Sequence, residues 1–307
     1  MALAERVIRA PGPWQHRDVF ANGARFHVVE MGEGPAVILL HGFPTFWWTW
    51  RQQLTALSAV GYRAIAVDMR GYGGSDHPPH GYDPFTLAAD IAGLTRSLGE
   101  ERAVIVGHGW GGLVAWAMSV MHPEVVEAIV PIAMPHPRSL RGNVLKHRQW
   151  KQLMYAVGFQ IPLLPERKLA KHNGARIEKL MRKWSADDSW VDEQSEVYRA
   201  AFSRWPTAHT SIEYHRWAIR SLPRADGRRF YSAMNQPVAC PVLHIQGAHD
   251  PMCLARTSRG SDAWCTNTYE WHELPSGHFP HEEIPEAVNK LLLTWLPTLP
   301  GHRALES

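Results

Sequence analysis

The sequence predicts an α/β fold built on a mainly parallel central sheet that is flanked by helices, with a helical cap inserted in the chain. Short, continuous apolar runs alternate with helix-like stretches, as in sheets whose strands are buried on both faces. Several of these runs end in glycine-rich turns. Between residues 137 and 235 the apolar runs disappear, and stretches rich in Arg, Lys and Trp replace them.

The predicted sheet begins with a hairpin. Residues 17–31 alternate around Asn22-Gly23, a pair that favours a two-residue hairpin turn. Compact apolar runs predict the remaining strands, in chain order at Ala36–Leu40, Ala64–Val67, Ala103–Val106, Val125–Ala133, Cys240–Gly247 and Thr268–Leu274. Because ligands of parallel sheets bind at the carboxyl ends of the strands, the turns found there mark the candidate site.

Helices are predicted both between the strands and in the inserted segment. Those between the strands are Trp50–Val60, Phe85–Leu98 and Leu113–Met121, and a C-terminal helix, Glu283–Leu296, follows the last strand. Those of the inserted segment are Leu145–Val157, Glu166–Trp184, Val191–Phe202 and Ser211–Arg220. The predicted domains are therefore a core of residues 1–136 and 236–307 and a helical cap of residues 137–235.

Composition narrows the class of function. The chain has 307 residues, 45% of them hydrophobic, and a formal net charge of +3, which argues against a nucleic-acid binder. No apolar run approaches the length of a signal peptide or a membrane span, and the three cysteines lack metal or redox spacing. We expect a cytoplasmic monomer or homodimer that binds a small-molecule substrate and no membrane, metal or cofactor. The 14 tryptophans favour an apolar ligand.

The run from Val104 to Gly112 is the most informative stretch of the chain. A strand-like run stops at glycines, and a helix-like run follows at once. The pattern small-x-nucleophile-x-small marks a tight strand–turn–helix elbow that presents a nucleophile. The frame here is Gly107-His108-Gly109-Trp110-Gly111, so glycine stands at the nucleophile position.

Motifs spread over nearly the whole chain resemble the α/β-hydrolase superfamily, and more narrowly its epoxide hydrolase and haloalkane dehalogenase branch. In that branch an aspartate stands where Gly109 stands here. The motifs are His41-Gly42-Phe43-Pro44 with Trp47, Trp50 and Arg51 behind it, Asp68-Met69-Arg70-Gly71-Tyr72-Gly73-Gly74-Ser75, Gly107-His108-Gly109-Trp110-Gly111-Gly112, and Leu274-Pro275-Ser276-Gly277-His278-Phe279.

The resemblance implies a catalytic pair on two loops. His278 follows the last predicted strand and is the candidate general base, since imidazole titrates near neutral pH. Asp250 follows the preceding strand and is the candidate acid that orients His278. We expect His281, three residues further on, to be a solvated neighbour.

The resemblance also implies residues that hold the substrate. Backbone amides of Phe43 and Trp110 are the candidate oxyanion hole. Epoxide hydrolases of this branch use two cap tyrosines that hydrogen-bond the epoxide oxygen, and Tyr155 and Tyr214 stand in similar contexts. The candidate substrate-binding residues are Trp47, Trp110 and Phe159.

Glycine at position 109 excludes the branch's covalent step, in which the aspartate forms an alkyl ester. Three interpretations stay open. The chain activates water through His278 and Asp250 without a covalent intermediate, or it binds ligands without turnover, or it catalyses a lyase or cyclisation reaction. A dehalogenase also needs the missing aspartate, and an esterase would need serine at the elbow, so we rank both lower.

Overall fold

The computed structural model describes residues 3–146 and 149–302. Within these residues eight strands form one sheet in the order β1-β2-β4-β3-β5-β6-β7-β8. The strands are β1 (Gln15–Ala21), β2 (Ala24–Met31), β3 (Ala36–Leu40), β4 (Arg63–Val67), β5 (Ala103–His108), β6 (Val126–Ile132), β7 (Val242–Gly247) and β8 (Tyr269–Leu274). The hairpin β1–β2 and the pair β2–β4 are antiparallel, and every other neighbouring pair is parallel.

Helices cover both faces of the sheet, as the sequence predicts. They are α1 (Leu3–Ile8), α2 (Arg51–Ser58), α3 (Pro84–Ser97), α4 (Trp110–Met121), α5 (Pro137–Asn143), α6 (Trp150–Gly158), α7 (Leu164–Trp184), α8 (Ser189–Phe202), α9 (Trp205–Arg220), α10 (Ala225–Ala233), α11 (Ala255–Ser258), α12 (Pro280–Glu283) and α13 (Pro285–Trp295). Every residue of β3, β5 and β7 is buried, which agrees with their continuous apolar runs.

Between β6 and β7 the described chain forms the six inserted helices α5–α10 and no strand of the sheet. The predicted helix Leu145–Val157 includes residues 147 and 148, which lie outside the described residues; α6 begins at Trp150. Helix α7 is kinked, because Lys171 to Gly174 leave the helical conformation. The exact division into core and cap domains stays a prediction.

The architecture gathers the carboxyl ends of the parallel strands at one edge of the sheet. Phe43 follows β3, Gly109 follows β5, Asp250 follows β7 and His278 follows β8. The inserted helices leave the sheet after β6 and so begin at the same edge. No helix of the described ranges is long and apolar enough to cross a membrane.

Candidate active site

Gly109 forms the sharp turn between β5 and α4. Its φ of 52° and ψ of −115° lie where residues with a Cβ are rarely found. The amide of Gly109 donates to the carbonyl of Ile132 at 3.0 Å, and its own carbonyl accepts from Leu113, also at 3.0 Å. The turn is thus fixed by the neighbouring strand on one side and by the first turn of α4 on the other.

The space above Gly109 is open, unlike the space at its glycine neighbours. A Cβ at Gly107 or Gly111 would lie 2.2 Å from a backbone oxygen, so close packing of strand and helix requires glycine there. A Cβ at Gly109 would meet nothing nearer than 3.7 Å, the distance to both Gly42 Cα and His278 Nε2. We call this space the Gly109 notch.

His278 and Asp250 form the predicted pair. His278 Nδ1 lies 2.9 Å from Asp250 Oδ2, and both residues are buried. Asp250 Oδ1 accepts from the amides of Met252 at 2.7 Å and Cys253 at 3.0 Å, which fixes the carboxylate. With a carboxylate on Nδ1, we assign the proton to that nitrogen, so that Nε2 is the basic atom. Within the described chain Nε2 has no hydrogen-bond partner, and it faces the notch.

The backbone of His278 is held as firmly as its side chain. Its amide donates to the carbonyl of Trp184 at 2.8 Å, and its carbonyl lies 2.7 Å from His108 Nε2. Burial holds the pKa of His108 well below the usual range, so this second imidazole is neutral and serves as a donor. His108 is therefore a positioning residue for the candidate base.

Phe43 and Trp110 both line the cavity beside Gly109. Trp110 follows Gly109 in the chain, and Phe43 follows Gly42, whose Cα would lie 3.7 Å from a Cβ at Gly109. The amides of Phe43 and Trp110 donate to no other atom of the described residues, and Trp110 opens α4, where a helix leaves amide donors free. Their role as an oxyanion hole stays a prediction.

The notch opens into a cavity of about 430 Å³ between the sheet edge and the inserted helices. Aliphatic and aromatic side chains dominate its walls. Gly109, His278 and Tyr155 line it together, while Arg141 provides its one guanidinium and no carboxylate borders it among the described residues. The cavity therefore suits a largely apolar molecule with a small polar reacting group.

Tyr155 reaches this cavity with a polar partner that the sequence did not predict. Its hydroxyl lies 3.0 Å from His215 Nε2, and Trp110 Nε1 donates to the same nitrogen at 3.2 Å. Burial lowers the pKa of His215 to about 3, so the imidazole is neutral. His215 Nδ1 lies 3.2 Å from the carbonyl of Ser211 and carries the proton, which leaves one lone pair at Nε2 for two donors.

Tyr214, the second predicted tyrosine, lies outside the cavity lining. The hydroxyl of Tyr214 donates to the carbonyl of Arg70 at 2.6 Å. On α9 the neighbouring residue His215 lines the cavity instead. The sequence Tyr214-His215-Arg216 contains the cavity residue, but the orientation of the helix is needed to tell which of its side chains lines the cavity.

Three other residues lie elsewhere than the sequence predicts. Trp47 is fully buried and donates through Nε1 to the carbonyl of Ile8 at 2.7 Å, so it belongs to the core and not to the cavity wall. Phe159 packs against Phe43 and His215 from behind and lines a separate groove. His281 is not solvated: it is fully buried and stacks on Trp50.

Trp184 is a further wall residue that the sequence left unassigned. It lines the cavity, and its ring contacts those of Phe43, Tyr155 and His278. Trp184 ends α7, so the helix that carries it also accepts the amide of His278. Its position links the inserted helices to the candidate base.

Comparison with known proteins agrees with this geometry. Residues 35–285 match the family model described as alpha/beta hydrolase fold. The chain is 31% identical over 284 residues to AB hydrolase superfamily protein YfhM of Bacillus subtilis, covering 91% of this chain and 96% of that protein. It is 31% identical over 286 residues to human epoxide hydrolase 4, covering 90% of this chain and 76% of that protein.

A solved structure shows the same fold. Epoxide hydrolase A from Mycobacterium thermoresistibile superposes with a TM-score of 0.78 at 27% sequence identity. The match covers 93% of this chain and 99% of that one. The chain therefore belongs to the α/β-hydrolase family and is epoxide-hydrolase-like in sequence and fold.

Proposed function

We propose that this protein hydrolyses an epoxide, or a similarly strained cyclic ether, on a largely apolar small molecule by direct attack of water. One observation carries the proposal: the unpartnered Nε2 of His278, held by Asp250, faces an open notch at the position of the missing nucleophile. The names of the relatives, which include epoxide hydrolases, supply the substrate class.

The proposed reaction has one chemical step. A water in the notch gives a proton to His278 Nε2 while its oxygen bonds to an epoxide carbon. The carbon–oxygen bond of the ring breaks, and Tyr155 gives its hydroxyl proton to the departing oxygen. The proton on His278 then returns to Tyr155 through solvent, which leaves a diol and the starting enzyme. Asp250 stabilises the imidazolium that forms on the way.

The environment of Tyr155 supports its role as the proton donor. Burial raises the pKa of its hydroxyl, which keeps the proton on the oxygen before the reaction. Without substrate, Tyr155 shares the lone pair of His215 with Trp110. Tyr155 can therefore donate its hydrogen bond to a substrate oxygen instead, and His215 Nε2 keeps a donor because Trp110 still donates to it.

The test is turnover of an epoxide panel in ¹⁸O-labelled water with the wild-type protein and His278→Ala. We expect a diol that carries one solvent oxygen, and we expect the His278→Ala variant to lose activity by at least 100-fold. Turnover that is unchanged by His278→Ala would overturn the proposal.

Two other outcomes would support the remaining interpretations. Ligand binding of equal affinity in both proteins, with no product from either, would favour a binding protein. A rearranged or cyclised product without solvent oxygen would favour a lyase or cyclase on the same scaffold.

A further inference from the structure

The Gly109 notch has the features of a binding site for a small anion. Phe43 and Trp110, whose amides have no acceptor among the described residues, line the cavity beside the notch, and His278 Nε2 lies 3.7 Å from the place where a Cβ would stand. His278 is 6% exposed, and its Nε2, which has no hydrogen-bond partner among the described residues, faces the notch. A group bound in the notch would therefore contact this nitrogen.

The charges around the notch favour an anion. The notch lies at the N-terminus of the 12-residue helix α4, where the helix dipole is positive. Arg141 lines the same cavity, and no carboxylate lines it in the described part of the chain. Asp250 is the nearest acid, but it lies behind His278, on the far nitrogen of that ring, and supports a positive charge on it.

The size of the notch selects the anion. An aspartate at position 109 would hold its carboxyl carbon about 2.5 Å from Cα. A free formate in van der Waals contact with Gly109 would place its carbon about 3.5–4.0 Å from Cα, one ångström or more further into the cavity. Acetate has an additional methyl group that must also be accommodated, so we expect formate to bind best.

We propose that the notch binds a small monocarboxylate, with formate as the best fit, and that this bound carboxylate supplies the nucleophile that the chain lacks. This inference rests on the proposed epoxide substrate for its chemistry, but not for the binding itself, and it describes a second route that replaces direct attack of water when a carboxylate occupies the notch. It assigns Gly109 a positive role: glycine opens a site for an exchangeable co-reactant.

The bonds and protons balance over two steps. A formate oxygen bonds to an epoxide carbon, the ring carbon–oxygen bond breaks, and Tyr155 protonates the departing oxygen, giving a hydroxyalkyl formate ester. His278 then takes a proton from water, whose oxygen attacks the formyl carbon while the amides of Phe43 and Trp110 stabilise the oxyanion. The acyl carbon–oxygen bond then breaks, and the departing diol oxygen takes the hydroxyl proton of the new formic acid, so that formate leaves as the anion. The proton on His278 returns to Tyr155 through solvent.

Binding is tested first, without epoxide, by calorimetric titration of the full chain with sodium formate against sodium chloride of equal ionic strength. We expect saturable formate binding that Gly109→Ala weakens at least tenfold, because its Cβ occupies the notch. Gly99→Ala is the matched control: Gly99 also has a positive φ of 86° and open space around it. Unsaturable binding, or equal binding by wild type and Gly109→Ala, would overturn the site.

The nucleophilic role is tested on the wild-type protein with ¹⁸O-labelled formate in ordinary water, which needs no variant to fold. We expect formate to raise epoxide turnover at least tenfold and to transfer one labelled oxygen to the diol. A diol with solvent oxygen only would overturn the nucleophilic role, yet it would agree with direct water attack. Turnover that occurs only with formate would overturn direct attack and support this inference.

Discussion

Gly109 has a backbone conformation that is unfavourable for any other residue, yet its surroundings leave room for a side chain. Its φ of 52° penalises a Cβ, while the nearest atoms to that Cβ would be 3.7 Å away. Glycine avoids backbone strain at this turn, and because it has no side chain, the space above it stays open. Glycine at this position is therefore compatible with an intact fold and with the contact between His278 and Asp250.

Replacing Gly109 by aspartate is expected to create the covalent mechanism. The new carboxylate would stand beside His278 Nε2, and the strained turn would cost about 1–3 kcal/mol of stability. We expect an ester intermediate that accumulates in the double variant Gly109→Asp, His278→Ala and is visible by mass spectrometry after mixing with epoxide. A Gly109→Asp protein that folds, yet neither turns over an epoxide panel nor forms an adduct, would contradict the epoxide assignment.

The two predicted tyrosines, Tyr155 and Tyr214, are expected to respond differently to the same substitution. Tyr155→Phe removes the proposed proton donor, so we expect kcat to fall about 100-fold or more with little change in folding. Tyr214→Phe leaves the carbonyl of Arg70 without its buried donor, so we expect a loss of about 1–3 kcal/mol in stability and near-normal kcat. Urea unfolding and steady-state kinetics on both variants check this. The reverse pattern would return the substrate-holding role to Tyr214.

At the scale of elements, the strands were predictable and the inserted helices only in part. Strands β3 and β5 are buried on both faces, so their apolar runs carry an unambiguous signal. Of the inserted helices, α7 is kinked, and the short helices α5 and α10 were not predicted. At 172–174 the chain enters the left-handed region, although the sequence there reads as a continuous helix.

In the candidate site, too, the residues that follow strands were predictable and those on inserted helices were less so. His278 and Asp250 follow strands, where position along the chain fixes position in space, and the structure brings them together. His215 lies on α9, whose rotation about its axis depends on packing that sequence alone does not specify. The rotation of α9 about its axis determines whether Tyr214 or His215 lines the cavity, and this rotation is set by tertiary contacts.

Arg216 joins the inserted helices to one another. It is buried on α9 and pairs with Glu166 of α7 at 2.7 Å, while its other nitrogens donate to the carbonyls of Phe159 and Ile161. Arg216→Met leaves the buried Glu166 with only the partly exposed His209 beside it, at 3.3 Å, so we expect a loss of up to about 3–5 kcal/mol in stability. We also expect KM to rise, because Phe159 supports the rings of Phe43 and His215.

The control for this prediction is an exposed ion pair of the same type. Arg96 on α3 pairs with Glu124, and more than half of each side chain is exposed. We expect Arg96→Met to change stability by only ~0–1 kcal/mol and to leave KM unchanged. Equal losses in the two variants, measured by urea unfolding, would show that Arg216 acts as an ordinary surface charge.

At the scale of the whole molecule, buried histidines couple folding to pH. His136, His215 and His244 are nearly or fully buried, and burial lowers the pKa of each to about 3. In the unfolded chain each titrates near 6.5. Between these values the unfolded chain binds protons that the folded protein excludes. Their contribution to stability is complete above pH 6.5 and is lost progressively as the pH falls towards 3.

The free energy of unfolding is therefore expected to fall steeply on acidification below pH 6.5. Each of the three histidines contributes up to about 1.4 kcal/mol per pH unit, or about 4 kcal/mol per unit together. Urea unfolding at half-unit steps from pH 7.5 to 5.0 measures this slope. His244→Gln removes one of the three groups and should reduce the slope by up to about 1.4 kcal/mol per pH unit. This variant leaves the cavity intact, because His244 lies on β7, outside the cavity lining, and contacts the hydroxyl of Tyr269. Stability that stays constant from pH 7 to 5 would mean that these histidines are protonated in the folded protein.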